Sequence, residues 1–149
     1  MEAWQSLQDL SEGLGKNGRN PFLMNLQKSG FQTHTYAELS QASRRLARGL
    51  IQEGIRPGHV VGFFAPLGSA WIAACVAALR AGAVVMPLDP QLEPETLAGI
   101  LEDSDPGLIF TDAKGLASLG RAPTRHARPV LLDGSGRGEP RVTWCRSGM

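Results

Sequence analysis

The chain has 149 residues, 42% of them hydrophobic, and a formal net charge of +1. That length suits one domain able to bury roughly 70% of the surface its unfolded form exposes. The near-zero charge argues against nucleic acid as a partner, and two cysteines, Cys75 and Cys145, do not make a disulfide framework.

In chain order, MEAWQSLQDLSEG carries acids early and lacks an apolar run, so it does not read as a signal peptide; a reduced, cytoplasmic setting is the default expectation. Residues 1–20 read as a short helix and a polar loop punctuated by Gly13, Gly15, Gly18 and Asn20. FLMNLQKSGFQTHTY then gives two short extended runs around Ser29-Gly30, the pattern of a β-hairpin. Thr35 as N-cap with Glu38 three residues later forms a capping box, in which each residue satisfies an otherwise orphaned backbone donor. The helix that follows carries Leu39, Ala42, Leu46 and Leu50 on one face and Arg44, Arg45 and Arg48 largely on the other. Gly54 closes it as a left-handed cap, with Ile55 placed for the usual hydrophobic contact behind the glycine.

Pro57-Gly58 turns the chain into VVGFF, residues 60–64, a near-continuous apolar run expected of a parallel strand covered on both faces. Ser69 is expected to cap the helix AWIAACVAALRA, whose alanines allow close approach to a sheet. Cys75 lies inside it and reads as a small buried residue. Gly82 ends the helix and AVVMP forms the next strand, with Pro87 confined to its end or to an edge because it lacks an amide hydrogen. The stretch Trp71–Leu88 approaches the length of a membrane span, but Arg80 and Gly82 interrupt it and its second half is strand-like, so no transmembrane segment is expected. Pro94 suits the first turn of a further helix with Leu97, Ile100 and Leu101 as its buried stripe. After Asp105-Pro106, GLIFT is a strand, Ala113–Leu119 a short helix and RPVLL, residues 128–132, another strand.

This alternation predicts an α/β fold: a parallel-stranded sheet flanked by helices, preceded by a β-hairpin, with right-handed crossovers. Three segments result: an N-terminal helix and loop over 1–20, an α/β subdomain over 21–132, and a Gly/Arg-rich tail over 133–149 expected to be poorly ordered. Every charged residue from Asp89 to Asp112 is acidic, whereas Arg121, Arg125, Arg128, Arg137, Arg141 and Arg146 make the tail basic. No aromatic interleaves those arginines, which favours a solvated tail over a binding patch.

Chemical motifs are sparse. GSGRGEP, residues 134–140, follows a predicted strand, but a phosphate cradle should open a helix facing the anion. Here VTWC follows without a helical period, so a loop or linker is favoured. His34, His59 and His126 are scattered, and neither cysteine has a partner at metal-ligand spacing. No G-x-S-x-G elbow offers a nucleophile. Asp89 falls at a strand's C-terminal end, where open α/β sheets bind ligands; between Leu88 and Pro90 it is equally a turn residue, the reading favoured here. Residue chemistry alone ends at an α/β domain with no visible catalytic apparatus.

Two phrases carry a resemblance. HTYAELSQASRRLARGL, residues 34–50, resembles the first core motif of the adenylate-forming (AMP-binding) enzyme superfamily, with Thr35, Tyr36, Glu38 and Leu39 in place. LRAGAVVMPLDP, residues 79–90, resembles its second, with Leu79, Ala81, Gly82, Pro87, Leu88 and Asp89 in place. The intervening GIRPGHVVGFFAPLGSAWIAACVAAL and the later ILEDSDPGLIFTD continue the pattern, so the likeness covers about residues 20–132. His59 replaces an aspartate common after the Pro-Gly turn, and Leu67-Gly68 a usually polar step. Val84, Val85 and Met86 lean towards the acyl-CoA synthetase branch rather than the peptide-synthetase branch.

The resemblance implies an N-terminal subdomain of an ATP-dependent acyl-CoA synthetase-like ligase. In such enzymes a carboxylate is adenylated and its acyl group passed to a thiol. It also implies that the Ser/Thr/Gly-rich phosphate loop, the adenine and Mg²⁺ contacts and the lysine of a mobile C-terminal domain come later than Met149. No catalytic, cofactor-binding or metal residue is therefore assigned. No cofactor is expected on this chain alone, while ATP, Mg²⁺ and CoA are implied for a full-length parent. The expected partner is the remainder of that enzyme, with self-association through uncovered apolar surface as a further expectation. Two other readings stay open: a stand-alone non-catalytic interaction module, and a small nucleotide-binding domain using GSGRG or Asp89.

Overall fold

The computed structural model describes residues 6–28, 30–120, 127–133 and 141–144. Helix α1 (Leu7–Gly13), capped by the Ser6 hydroxyl, runs into a 3-10 turn at Leu14–Asn17. An antiparallel ribbon of β1 (Pro21–Gln27) and β2 (Gly30–Thr35) follows, as the hairpin reading expects. Thr35 then opens α2 (Tyr36–Gln52). Its Oγ1 accepts the Glu38 N–H at 3.3 Å while a Glu38 carboxylate oxygen accepts the Thr35 N–H at 2.7 Å, the reciprocal pairing read from the sequence.

The main sheet has the order β4-β3-β5-β6-β7, built from β3 (Val60–Phe64), β4 (Val84–Pro87), β5 (Leu108–Thr111), β6 (Arg128–Asp133) and β7 (Arg141–Trp144). β4, β3, β5 and β6 are mutually parallel. β7 runs antiparallel to β6, with Val142 opposite Leu132. The sheet is thus mixed but mostly parallel, and a strand occupies part of the segment expected to be a poorly ordered tail. A short antiparallel edge strand takes its stability from its partner, which no local pattern in RVTW announces. Residues 134–140, with GSGRGEP, and Cys145 lie outside the described residues.

Helices cover both faces. On one, α3 (Ser69–Arg80) lays Ala70, Ala74, Ala77 and Ala78 against Val61, Phe63, Leu108, Phe110 and Val130, all buried in one cluster. On the other, α4 (Pro94–Ser104) and α5 (Ala113–Leu119) place Leu97, Leu101 and Leu119 on Phe64, Leu88 and Ile109. The two-residue alternation of β3 explains the division: Val61 and Phe63 serve one face, Gly62 and Phe64 the other. Behind α3 lies α2, joined through Leu39, Ala42 and Ala73.

Both glycine-ended helices close as expected. After α2, Gly54 N–H donates to Ile51 O at 3.1 Å and Ile55 N–H to Leu50 O at 3.0 Å; after α3, Gly82 N–H donates to Leu79 O and Ala83 N–H to Ala78 O, each at 3.0 Å. These are paired Schellman bonds around left-handed glycines, with φ of 91° at Gly54 and 74° at Gly82. Gly82 has a second constraint. A Cβ there would stand 3.1 Å from the Pro57 ring, and Gly82 O accepts the Gly58 N–H at 2.9 Å. The phrase LRAGAVVMPLDP therefore clasps the Pro57-Gly58 turn, aligning β3 and β4 in parallel register. Pro87 ends β4, an edge strand, so no ladder bond is lost. One expected cap differs: Gly68 precedes α3 in extended conformation, φ −167°, while Ser69 is already helical and makes no cap bond. Gly68 O accepts the first helical bond from Ile72 at 2.9 Å, which places the boundary one residue earlier.

Candidate functional site

In an open α/β sheet the usual ligand position lies beyond the strands' carboxyl ends, where successive crossovers leave towards opposite faces. β3 and β5 are neighbours and meet that condition: β3 continues into α3 on one face, β5 into α5 on the other. The loop Ala65–Gly68 and the Asp112 cap splay apart there. Between them opens a cleft of about 590 Å³, lined by Ala65, Leu67, Trp71, Asp112, Lys114 and Leu132 among others.

Its walls are fixed. Trp71 packs on Phe63 with ring centroids 5.0 Å apart, and Phe63 packs on Phe110 at 5.1 Å. The floor is tied by Thr111, fully buried, whose Oγ1 donates to Phe64 O at 2.8 Å across the two strands. Asp112 Oδ1 accepts the Gly115 N–H at 2.7 Å and so caps α5. A Cβ at Gly115 would stand 2.2 Å from Thr111 Oγ1 and 2.8 Å from Phe64 O, so only glycine lets α5 sit this close. Lys114 is the cation in the lining, and Leu67, 75% exposed, forms the rim. The surface is an apolar cleft with one positive charge at its edge. None of these residues drew attention as a site in the sequence, because they come from three separate segments and share no motif.

The residues that did draw attention lie elsewhere. Asp89 stands in an exposed turn, its Oδ1 accepting the Gln91 N–H at 2.9 Å and its carbonyl the Leu92 N–H at 3.1 Å, which is the turn role. His34 is buried against Phe22, and His59 Nδ1 accepts the Arg56 N–H at 3.3 Å within a turn. Burial pushes the Cys75 thiol up, as suits a core residue. His126 lies outside the described residues. Among the described residues no group of three His, Cys, Asp or Glu is placed to hold a metal ion, and no helix is long and apolar enough to cross a membrane. Arg80, a cation inside the second motif, is spent on structure. Its guanidinium donates to Ser43 Oγ at 3.1 Å and to the Ser11 carbonyl, tying α1, α2 and α3 together, and burial lowers its basicity.

A family model described as AMP-binding enzyme matches residues 12–143. The chain belongs to this family. Malpinin synthetase of Mortierella alpina is 37% identical over 105 residues, 70% of this chain and 1% of that protein. Phosphinothricin tripeptide synthetase PhsC of Streptomyces viridochromogenes is 41% identical over 99 residues, 66% of this chain and 9% of that protein. Among solved structures, the Brucella canis acyl-CoA synthetase superposes with a TM-score of 0.70 at 22% identity, over 82% of this chain and 23% of that one, which shows a shared fold. The chain thus spans a small fraction of the length of the relatives it matches.

AMP-binding enzymes handle ATP, so the cleft must be weighed against a triphosphate. Lys114 is its lone cation, Asp112 Oδ1 and Thr111 Oγ1 are already engaged, and the rest of the lining is apolar. A triphosphate needs several cationic or N–H partners. The cleft residues do not fit one on their own, and no chemical step follows from them.

Proposed function

We propose that this chain is the N-terminal scaffold subdomain of a larger, cytoplasmic enzyme that adenylates a carboxylate and passes the acyl group to a thiol, and that it does not adenylate by itself. Residues 21–132 form the scaffold proper. The observation that carries this reading is the family match across residues 12–143, set on a fold whose two matching motifs do architectural work: the Thr35–Glu38 box caps α2, and Gly82 clasps Pro57-Gly58. Adenylation requires stabilisation of charge on a transferring phosphoryl group, which demands positioned cations and donors. Those belong to the rest of the enzyme, with ATP, Mg²⁺ and CoA as its ligands.

The acid activated has two supported classes. Val84-Val85-Met86 favours acyl-CoA formation. The 37–41% identity to malpinin and phosphinothricin tripeptide synthetases favours amino-acid activation.

The decisive assay is ATP–pyrophosphate exchange with purified 149-residue protein, run with fatty, aryl and amino acids in turn. No exchange is expected. Robust exchange with any acid defeats the scaffold reading. Sequencing the reading frame past codon 149 should reveal a Ser/Thr/Gly-rich loop ending in lysine, and the acid preferred by the complete enzyme decides between the two classes.

A further inference from the structure

Among the described residues β1 and β2 pair with each other and with no other strand. Side chains on such a ribbon alternate between two faces. The register sets Leu26 opposite Phe31 and Met24 opposite Thr33, so these four share a face; Leu23 opposite His34 and Asn25 opposite Gln32 make the other. An antiparallel ribbon packed on a core ordinarily turns its apolar face inward and its polar face to water. Here the assignment is reversed. Leu26 is 77% exposed, Phe31 71% and Met24 62%, while Asn25 and Gln32 are half-buried and His34 is buried.

A slip of one residue would exchange the two faces. The slip is prevented at the other end of the ribbon. The Phe22 ring packs against His34 and Tyr36 with centroids at 6.4 and 5.8 Å, and β2 runs directly into the capping box of α2. The ribbon is held with its apolar side outward. A two-stranded ribbon is marginally stable in water, and a contiguous exposed apolar face marks an interaction site.

The length of the solved neighbours indicates what covers it. This chain matches 82% of its own length to the Brucella canis acyl-CoA synthetase but accounts for 23% of that chain. Most of a complete enzyme of this fold therefore lies outside the matched region. We infer that the Met24–Leu26–Phe31 face is a docking seam for an apolar β-element supplied by the remainder of the adenylating enzyme, completing the ribbon into a larger sheet. This inference rests on the scaffold reading above.

The test uses the purified chain and, as probe, the region of phosphinothricin tripeptide synthetase PhsC directly following its matched segment, co-expressed and captured through a tag on the chain. Capture by the parent chain is expected, with apparent affinity falling about ten-fold or more in Leu26→Gln/Phe31→Gln, since each exposed side chain offers an apolar surface whose burial is favourable. The single variant Phe31→Gln should give an intermediate loss, and circular dichroism should show both variants folded. Capture undiminished by the double variant overturns the seam, as does absence of capture by the parent chain. A ribbon-dependent dimer that excludes the probe overturns it in favour of a second copy. These results are independent of pyrophosphate exchange: exchange by the chain alone defeats the scaffold reading, whereas ribbon-insensitive capture defeats only the seam.

Discussion

The central strands of the five-stranded sheet are closed on both faces, with Val61, Phe63, Leu108 and Phe110 at 0% exposure, whereas the two-stranded ribbon leaves Leu26 and Phe31 at 77% and 71%. Both regions are made of short apolar runs, and the difference lies in what covers them. α3 crosses one face of the sheet and α4 and α5 the other, all supplied by this chain. The ribbon has α2 and the 3-10 turn behind it and nothing described in front. The sheet is thus a finished structure and the ribbon an unfinished one, and stability should be distributed accordingly. α2 joins the two, since its N-terminus continues β2 and its flank packs on α3.

The comparison breaks most readily in the sheet. Phe63→Ala removes a ring held between Trp71 and Phe110, and a loss of about 4 kcal/mol is expected from such core truncations. Urea unfolding followed by circular dichroism measures it, and a loss under about 1 kcal/mol would mean that β3 is not the centre of the core. Gly115→Ala comes next. Its methyl would collide with Thr111 Oγ1 and Phe64 O, breaking the bond that ties β5 to β3, for about 3 kcal/mol by overpacking. Gly99→Ala in α4 is the control: nothing lies within 4 Å of its added carbon, so the same substitution should stabilise by about 0.5 kcal/mol or more through helix propensity. If Gly115→Ala is also neutral, α5 does not sit against the sheet as described.

The contrast also governs what could be read from the residues alone. Strands closed by this chain's own helices announce themselves: VVGFF and GLIFT are continuous apolar runs because both faces are covered. The glycine closures at Gly54 and Gly82 and the box at Thr35–Glu38 were readable because each is a local hydrogen-bonding solution with few permitted residues. The boundary at Gly68 was not, because serine at position 69 fits the first helical turn as well as the cap. β7 escaped notice because an antiparallel edge strand depends on β6. The cleft was invisible because Leu67, Trp71, Asp112 and Lys114 converge only once the crossovers diverge at β3 and β5. The ribbon's orientation was hidden for a related reason: Met24, Leu26 and Phe31 look like ordinary inward residues until the register with Gln32 and His34 shows which side α2 occupies.

At the joint between the two regions the expected effects are smaller. Thr35→Ala deletes the hydroxyl that accepts the Glu38 N–H, a change of about 1 kcal/mol for an N-cap. The pH dependence sharpens this. The Thr35 backbone N–H, donating to the Glu38 carboxylate, holds its pKa below the ordinary value of 4.5. A carboxylate depressed in the folded state binds fewer protons there than when unfolded. Its stabilising share is present above pH 4.5 and is lost as pH falls through the folded value. Glu38→Gln should therefore flatten the acid limb of a urea-midpoint profile while leaving most of the neutral-pH stability, because the amide oxygen can still accept the Thr35 N–H. An unchanged acid limb would show that the box is not formed in solution.

The smallest effect belongs to the ribbon, and it is the most diagnostic. Leu26→Gln/Phe31→Gln removes two large apolar side chains, a change that in the sheet would unfold much of the population. Neither residue belongs to the buried clusters, so the stability lost is bounded by their cross-strand contact, below about 1 kcal/mol. Urea midpoints of the isolated chain should barely move, while its tendency to associate falls because the largest exposed apolar side chains of the ribbon are gone. A loss of several kcal/mol would instead mean that the ribbon packs inward on its own core, and the division between a finished sheet and an unfinished ribbon would disappear. A small loss, combined with a large one at Phe63, would localise the chain's incompleteness to one face of β1 and β2. It would also give a physical reason for a sequence that conserves stability in one sheet to leave phenylalanine and leucine in water on the other: the missing contact lies in another part of the enzyme, and its absence costs the isolated chain solubility rather than folding.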